Sequence, residues 1–189
     1  MNIFSSIGVR TKIPALLILA GILFSCVNDL DTIQQVTYDP DAPDETTTDL
    51  RVHFTDSGYA RIQIYASLAE TYSKPEHVTK LKDYVKIDFY SDEGRIVSTL
   101  TALYGEVNTE TGMMFVRDSV VLRNLDDKQY IETEELFYNQ KDSTVFTEKY
   151  VILKKEGEGI IGKGSGIKTS PFSKFKKGDI LDPEGKGLI

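Results

Sequence analysis

One cysteine, two histidines and no tryptophan occur in this chain of 189 residues. A single cysteine, Cys26, excludes an intramolecular disulfide and a cysteine-based metal site. His53 lies in the alternating stretch Arg51-Val52-His53-Phe54 and reads as a solvent-facing strand residue, and His77 follows Pro75 in a polar loop. Neither has a neighbour at metal-ligand spacing, so no metal site is expected. No Gly-x-Ser-x-Gly occurs, and two isolated imidazoles cannot supply a Ser-His-Asp set. The glycines of Gly157 to Ser165 lack phosphate-loop spacing and no helical pattern follows them. No catalytic residue and no cofactor is expected, and the chain does not read as an enzyme. Positive charge is also in deficit, with 22 Lys and Arg against 29 Asp and Glu, a net of −7. Such a balance argues against nucleic acid as a partner.

Long hydrophobic runs are equally scarce. The longest, Ile13 to Phe24, follows Arg10 and Lys12 and ends in Leu23-Phe24-Ser25-Cys26. It falls short of the ~20 apolar residues that a spanning helix needs. A basic start, a short apolar stretch and a small residue at the cut form a secretory signal. A cysteine directly after the small residue makes the signal a bacterial lipobox, so Cys26 is expected to carry the lipid and to become the new N-terminus. Residues 1–25 are then a signal peptide, and loss of Arg10 and Lys12 leaves 20 basic against 29 acidic residues, a net of −9. Residues 26–49, rich in Asp, Thr and Pro, carry too little apolar surface to offset the entropy of ordering and read as a flexible acidic tether.

From Leu50 onward the apolar period is two. Arg61 to Ala66, Lys86 to Tyr90, Arg95 to Tyr104, Met113 to Arg117 and Val120 to Leu122 all read as strands. So do Gln129 to Thr133, Glu135 to Tyr138, Thr144 to Glu148 and Tyr150 to Lys154. Turn signals such as Ser91-Asp92-Glu93-Gly94 separate many of them, at spacings that indicate all-β architecture. The one helical candidate is Ser67 to Tyr72. An internal repeat pairs Val97-x-Thr99-x-x-x-Leu103-Tyr104 with Ile131-x-Thr133-x-x-x-Phe137-Tyr138 at an offset of 34. Met114-Phe115-x-x-x-x-Val120-x-Leu122 pairs with Val145-Phe146-x-x-x-x-Val151-x-Leu153 at an offset of 31. Repeated strand-turn-strand units suggest a sheet stack that grows along one axis. Residues 50–168 form the expected domain, and residues 169–189 read as a polar, dispensable tail. The strands carry more apolar side chains than a closed sandwich of this size needs, so an open V with an apolar groove suited to acyl chains is one outcome. A closed sandwich with the same residues as core is the other.

Thr55-Asp56-Ser57-Gly58-Tyr59-Ala60-Arg61, Ala102-x-Tyr104 and Asp118-Ser119-Val120-Val121-Leu122 together resemble the LptC family. Leu136-Phe137-Tyr138-Asn139 and Ile160-Ile161-Gly162-Lys163-Gly164 extend the likeness over Leu50 to Lys168. The resemblance is to the family's lipoprotein form. It implies an elongated, twisted open β-jellyroll, an OstA/LptA-like β-sandwich whose apolar groove passes lipopolysaccharide. It also implies a periplasmic location on the inner membrane, with an inner-membrane ABC transporter of permease and ATPase subunits on one side. A periplasmic bridge protein of similar fold is implied on the other.

The groove residues expected from strand parity are Ile62, Ile64, Val85, Ile87, Phe89, Val120, Leu122, Val151 and Leu153. A one-residue slip would turn that set to solvent. The bridge-facing edge is expected at Thr144 to Lys154 with the glycine-rich segment after it. Two rival readings are a structural lipoprotein with a closed sandwich and no lipid pocket, and an exported hydrolase, which lacks a nucleophile-base pair.

Overall fold

Alternating apolar and polar residues broken by Gly, Asp and Asn turns produce an antiparallel meander. The computed structural model describes residues 39, 41–56 and 59–184. The leader, Cys26 and most of the expected tether lie outside the described residues. The strands are β1 (Glu45–Asp56), β2 (Tyr59–Tyr72), β3 (Val78–Tyr90), β4 (Ile96–Ala102), β5 (Tyr104–Asn108), β6 (Met113–Asn124), β7 (Gln129–Asn139), β8 (Thr144–Lys155), β9 (Gly159–Thr169) and β10 (Ile180–Pro183). They form one 10-stranded sheet in the order β1-β2-β3-β4-β6-β7-β8-β9-β10, with β5 also between β3 and β6. Every pairing is antiparallel, as the all-β jellyroll class requires.

One crease runs across this sheet. Pairing shifts between Ala66 and Leu68 in β2, Arg117 and Val120 in β6, Thr133 and Phe137 in β7, and Thr147 and Tyr150 in β8. Leu103 separates β4 from β5 at the same level, its N–H donating to the Asp118 carbonyl at 3.0 Å. Asp49, Asp83, Asp118 and Ser119 sit on this line with positive φ, and Gly166 extends it into β9. Left-handed residues and bulges bend a strand and increase its twist. Aligned on neighbouring strands, they fold the sheet into two facing layers. Met113 to Arg117 and Val120 to Leu122, expected as separate strands, are thus two halves of the continuous β6. The same holds for the paired segments that became β7 and β8.

The crease also settles the repeat. Leu100 lies opposite Leu122 and Ile131 opposite Leu153, both members advanced by 31 residues. Glu106 opposite Phe115 and Phe137 opposite Phe146 keep that same advance. The expected offset of 34 for the first strand is therefore wrong. Leu100, not Val97, is the equivalent of Ile131, because hydrogen-bond register fixes equivalence and the side-chain likeness at 97 and 131 is incidental.

Three further expectations are corrected. Ser67 to Tyr72 is extended and belongs to β2, because pairing with β1 and β3 overrides a weak local preference. The strands begin at Glu45, inside the segment expected as tether. The segment of residues 170–184 is no loose tail. Phe175 and Ile180 are buried, and Phe172 packs against the same core. Its lysines hid this, since Lys174, Lys176 and Lys177 flank apolar residues that point the other way.

Candidate functional site: the apolar interior and its open end

All nine residues expected from parity point between the layers. Ile62, Ile64, Val85, Ile87, Phe89, Val120, Leu122, Val151 and Leu153 are each no more than 2% exposed. They are joined in one cluster by Leu81, Leu100, Met114, Ile131, Leu136, Val145 and Ile167. The layers meet away from the crease where Phe89 of one packs edge-to-face on Tyr138 of the other, with ring centroids 5.3 Å apart. Burial raises the Tyr138 phenol above its ordinary value, as expected for a ring held in an apolar seam.

The centre is closed, and the β1 end is not. A cavity of about 220 Å³ opens there, lined by Leu50, Val52, Phe54, Ile64, Leu81 and Val107. Thr47, Thr71, Thr79 and Glu45 stand around it. The crease at Asp49 creates the lining by switching the inward parity of β1 from Glu45 and Thr47 to Leu50, Val52 and Phe54. Of the nine expected residues only Ile64 reaches this cavity. The signal for the rest was present in Leu50-x-Val52-x-Phe54, an alternation that reads as ordinary core until the strand proves to be an end strand among the described residues.

Edge positions differ from the expectation as well. β8 pairs with β7 on one side and β9 on the other, so Thr144 to Lys154 is an internal strand and not a sheet edge. Among the described residues β1 pairs only with β2 and is the long end strand of the sheet. At the opposite end the short β10 covers β9 at Gly164, Ser165 and Ile167.

Glu45 stands at the cavity mouth, whereas the Lys86–Asp88 and Lys82–Glu70 pairs lie on the outer faces. The only buried carboxyl among the described residues, Asp88, lies outside the layers, accepting from Lys86 Nζ and Thr99 Oγ1 at 2.7 Å each. Glu70 pairs with Lys82 at 2.7 Å, and that ammonium holds its carboxyl below the usual carboxylate range. Phe115, Phe137 and Phe146 form an outward ladder at 4.8 and 5.4 Å. Among the described residues no group of three His, Cys, Asp or Glu side chains could hold a metal ion, and no helix is long and apolar enough to cross a membrane.

A single antiparallel sheet creased into two layers, with an apolar interior open at one edge, defines a β-jellyroll of the open-ended class. The model of the family described as lipopolysaccharide-assembly, LptC-related, matches residues 14–169. That is most of the chain, and the chain belongs to this family. It is accordingly a component of lipopolysaccharide transport in the cell envelope. No curated protein matches the chain. The family match ends at Thr169, the last residue of β9, so the segment that returns over the core lies beyond it.

Proposed function

We infer that this protein is a lipid-anchored periplasmic link in lipopolysaccharide transport, held at the inner membrane through Cys26. Its interior receives acyl chains at the β1 end, from the permease and ATPase complex that drives transport. They pass to a bridge protein of similar fold at the other end. The observation that carries this reading is the apolar cavity between the layers beside β1, which among the described residues is paired on one side alone. Each methylene moved from water into such a space contributes ~0.8 kcal/mol. An unpaired strand edge also lets a partner jellyroll continue the sheet, so that its interior and this one become continuous. The expected tether precedes β1 in the chain, which supports the reading that this edge faces the membrane.

At about 220 Å³ the cavity is smaller than the ~300–1,000 Å³ pockets that enclose whole small molecules. It accommodates part of one chain, and deeper passage requires the layers to part around Ile64 and Ile87. The packed centre is the one feature that favours the second reading, an interaction lipoprotein with a closed sandwich. Leu50→Arg separates the two. Leu50 is half-buried at the cavity mouth, so the folded protein tolerates the longer side chain. A charge there opposes acyl entry by several kcal/mol if desolvated. Lipopolysaccharide binding is expected to fall more than tenfold at unchanged fold, and unchanged binding would favour the closed sandwich.

A further inference from the structure

The geometry points to a second acyl-chain site between the layer rims, occupied in the resting protein by the chain's own C-terminal segment, Ser170–Glu184, acting as a displaceable strap. The inference rests on the acyl-binding reading above and adds an occupant to it. The strap leaves β9 at the rim of one layer and crosses to the rim of the other. Phe172 packs edge-to-face on Phe89 with centroids 5.7 Å apart, beside the Phe89–Tyr138 contact that joins the layers. Phe175 is 1% exposed. The strap's two rings thus fill the opening through which the apolar interior would meet solvent.

What holds the strap differs from what holds the sheet. Ser98 Oγ donates to the Pro171 carbonyl, Asn124 Nδ2 donates to the Ser173 carbonyl at 3.1 Å, and the Phe175 N–H donates to Gln129 Oε1 at 3.0 Å. Ser98, Asn124 and Gln129 are buried polar side chains on three different strands, each spending a hydrogen bond on strap backbone. When the strap lifts, these three side chains meet water in place of strap backbone, so opening leaves no buried polar group without a partner. Regular pairing is limited to the short β10. Lifting of residues 170–176 breaks the three side-chain bonds and the Phe172 and Phe175 contacts while β10 stays paired with β9. Lifting exposes the Phe89 and Tyr138 rim to a saturated acyl chain, whose burial replaces that of Phe172 and Phe175.

A ligand competing with a closed strap binds more weakly by the fraction of open molecules, so loosening the strap raises apparent affinity. The test uses the purified full chain with dodecanoate as probe. Ser98→Ala removes one strap bond without adding bulk. It is expected to tighten dodecanoate binding about fivefold, the effect of losing one buried hydrogen bond in the closed state. Hydrogen exchange should show amides of Phe172 to Lys176 losing protection on saturation with dodecanoate, with β9 unchanged. Equal or weaker binding by Ser98→Ala, or a gain of protection in the strap, overturns the strap and leaves the acyl reading intact. Failure of both forms to bind dodecanoate overturns that reading and the strap together.

Discussion

Replacing Phe89 with alanine removes the ring through which the two layers and the C-terminal strap meet. Phe89 is 0% exposed, contacts Tyr138 at 5.3 Å and Phe172 at 5.7 Å, and sits opposite Ile62 and Ser98 in the ladder. Truncating a buried phenylalanine costs about 3–5 kcal/mol, transfer and cavity terms together. The upper half applies here, because two edge-to-face partners, each contributing about 0.5–1.5 kcal/mol, are lost at once. Against a total stability of about 5–15 kcal/mol the loss is large but compatible with folding. Urea unfolding reads it directly. With a slope near 2 kcal/mol/M, the midpoint should fall by roughly 2 M. Tyrosine fluorescence serves as the signal, since the chain has ten tyrosines and no tryptophan to mask them. Phe115→Ala, on the half-exposed outer ladder, should cost less than half as much. A Phe89→Ala loss below about 1 kcal/mol would show that the layers are not packed against each other through this ring.

Ser119 has φ 57° in the crease of β6, a conformation that β-branched side chains avoid. Ser119→Val should therefore destabilise the protein by about 1–2 kcal/mol in the same urea assay, although valine favours strands elsewhere. Gly164 lies under β10, and a Cβ there would come within 2.1 Å of the Asp182 carbonyl oxygen. Gly164→Ala should release β10, seen as lost amide protection at Ile180 to Asp182 with β2 and β3 unaffected. Glu184 pairs with Lys163 at 2.6 Å, and that ammonium, with the Tyr150 hydroxyl, holds its carboxyl below the usual carboxylate range. A lowered carboxylate stabilises the fold above the unfolded value and loses that contribution as pH falls through the folded one. Protection in β10 should decline below the ordinary carboxylate range in the native protein, and Glu184→Gln should remove that pH dependence.

The strands and their inward faces were legible because burial on one side imposes alternation, and Ile62-x-Ile64 or Leu122 with Leu153 can satisfy it in only one register. The crease was not legible. Asp118-Ser119 and Glu148-Lys149 look like turn residues between strands, and only cross-strand pairing shows that they bend one strand. The open cavity escaped for a related reason, since Leu50, Val52 and Phe54 become a lining where, among the described residues, no strand pairs with the far side of β1. The buried C-terminal segment was masked by composition. Phe172, Phe175 and Ile180 are too widely spaced to show strand or helix periodicity, and residues 170–176 follow the rims of the layers rather than a regular element.

Gln63 and Ile64 are neighbours on β2 that face opposite ways, the first bonded to the Tyr90 hydroxyl on the outer face and the second lining the cavity. Photo-crosslinking amino acids placed at each, in membranes exporting lipopolysaccharide with ATP present, test whether acyl chains travel between the layers. Adducts with lipopolysaccharide are expected from position 64 and not from position 63. Adducts from position 63 alone, or from neither, would contradict passage through the interior.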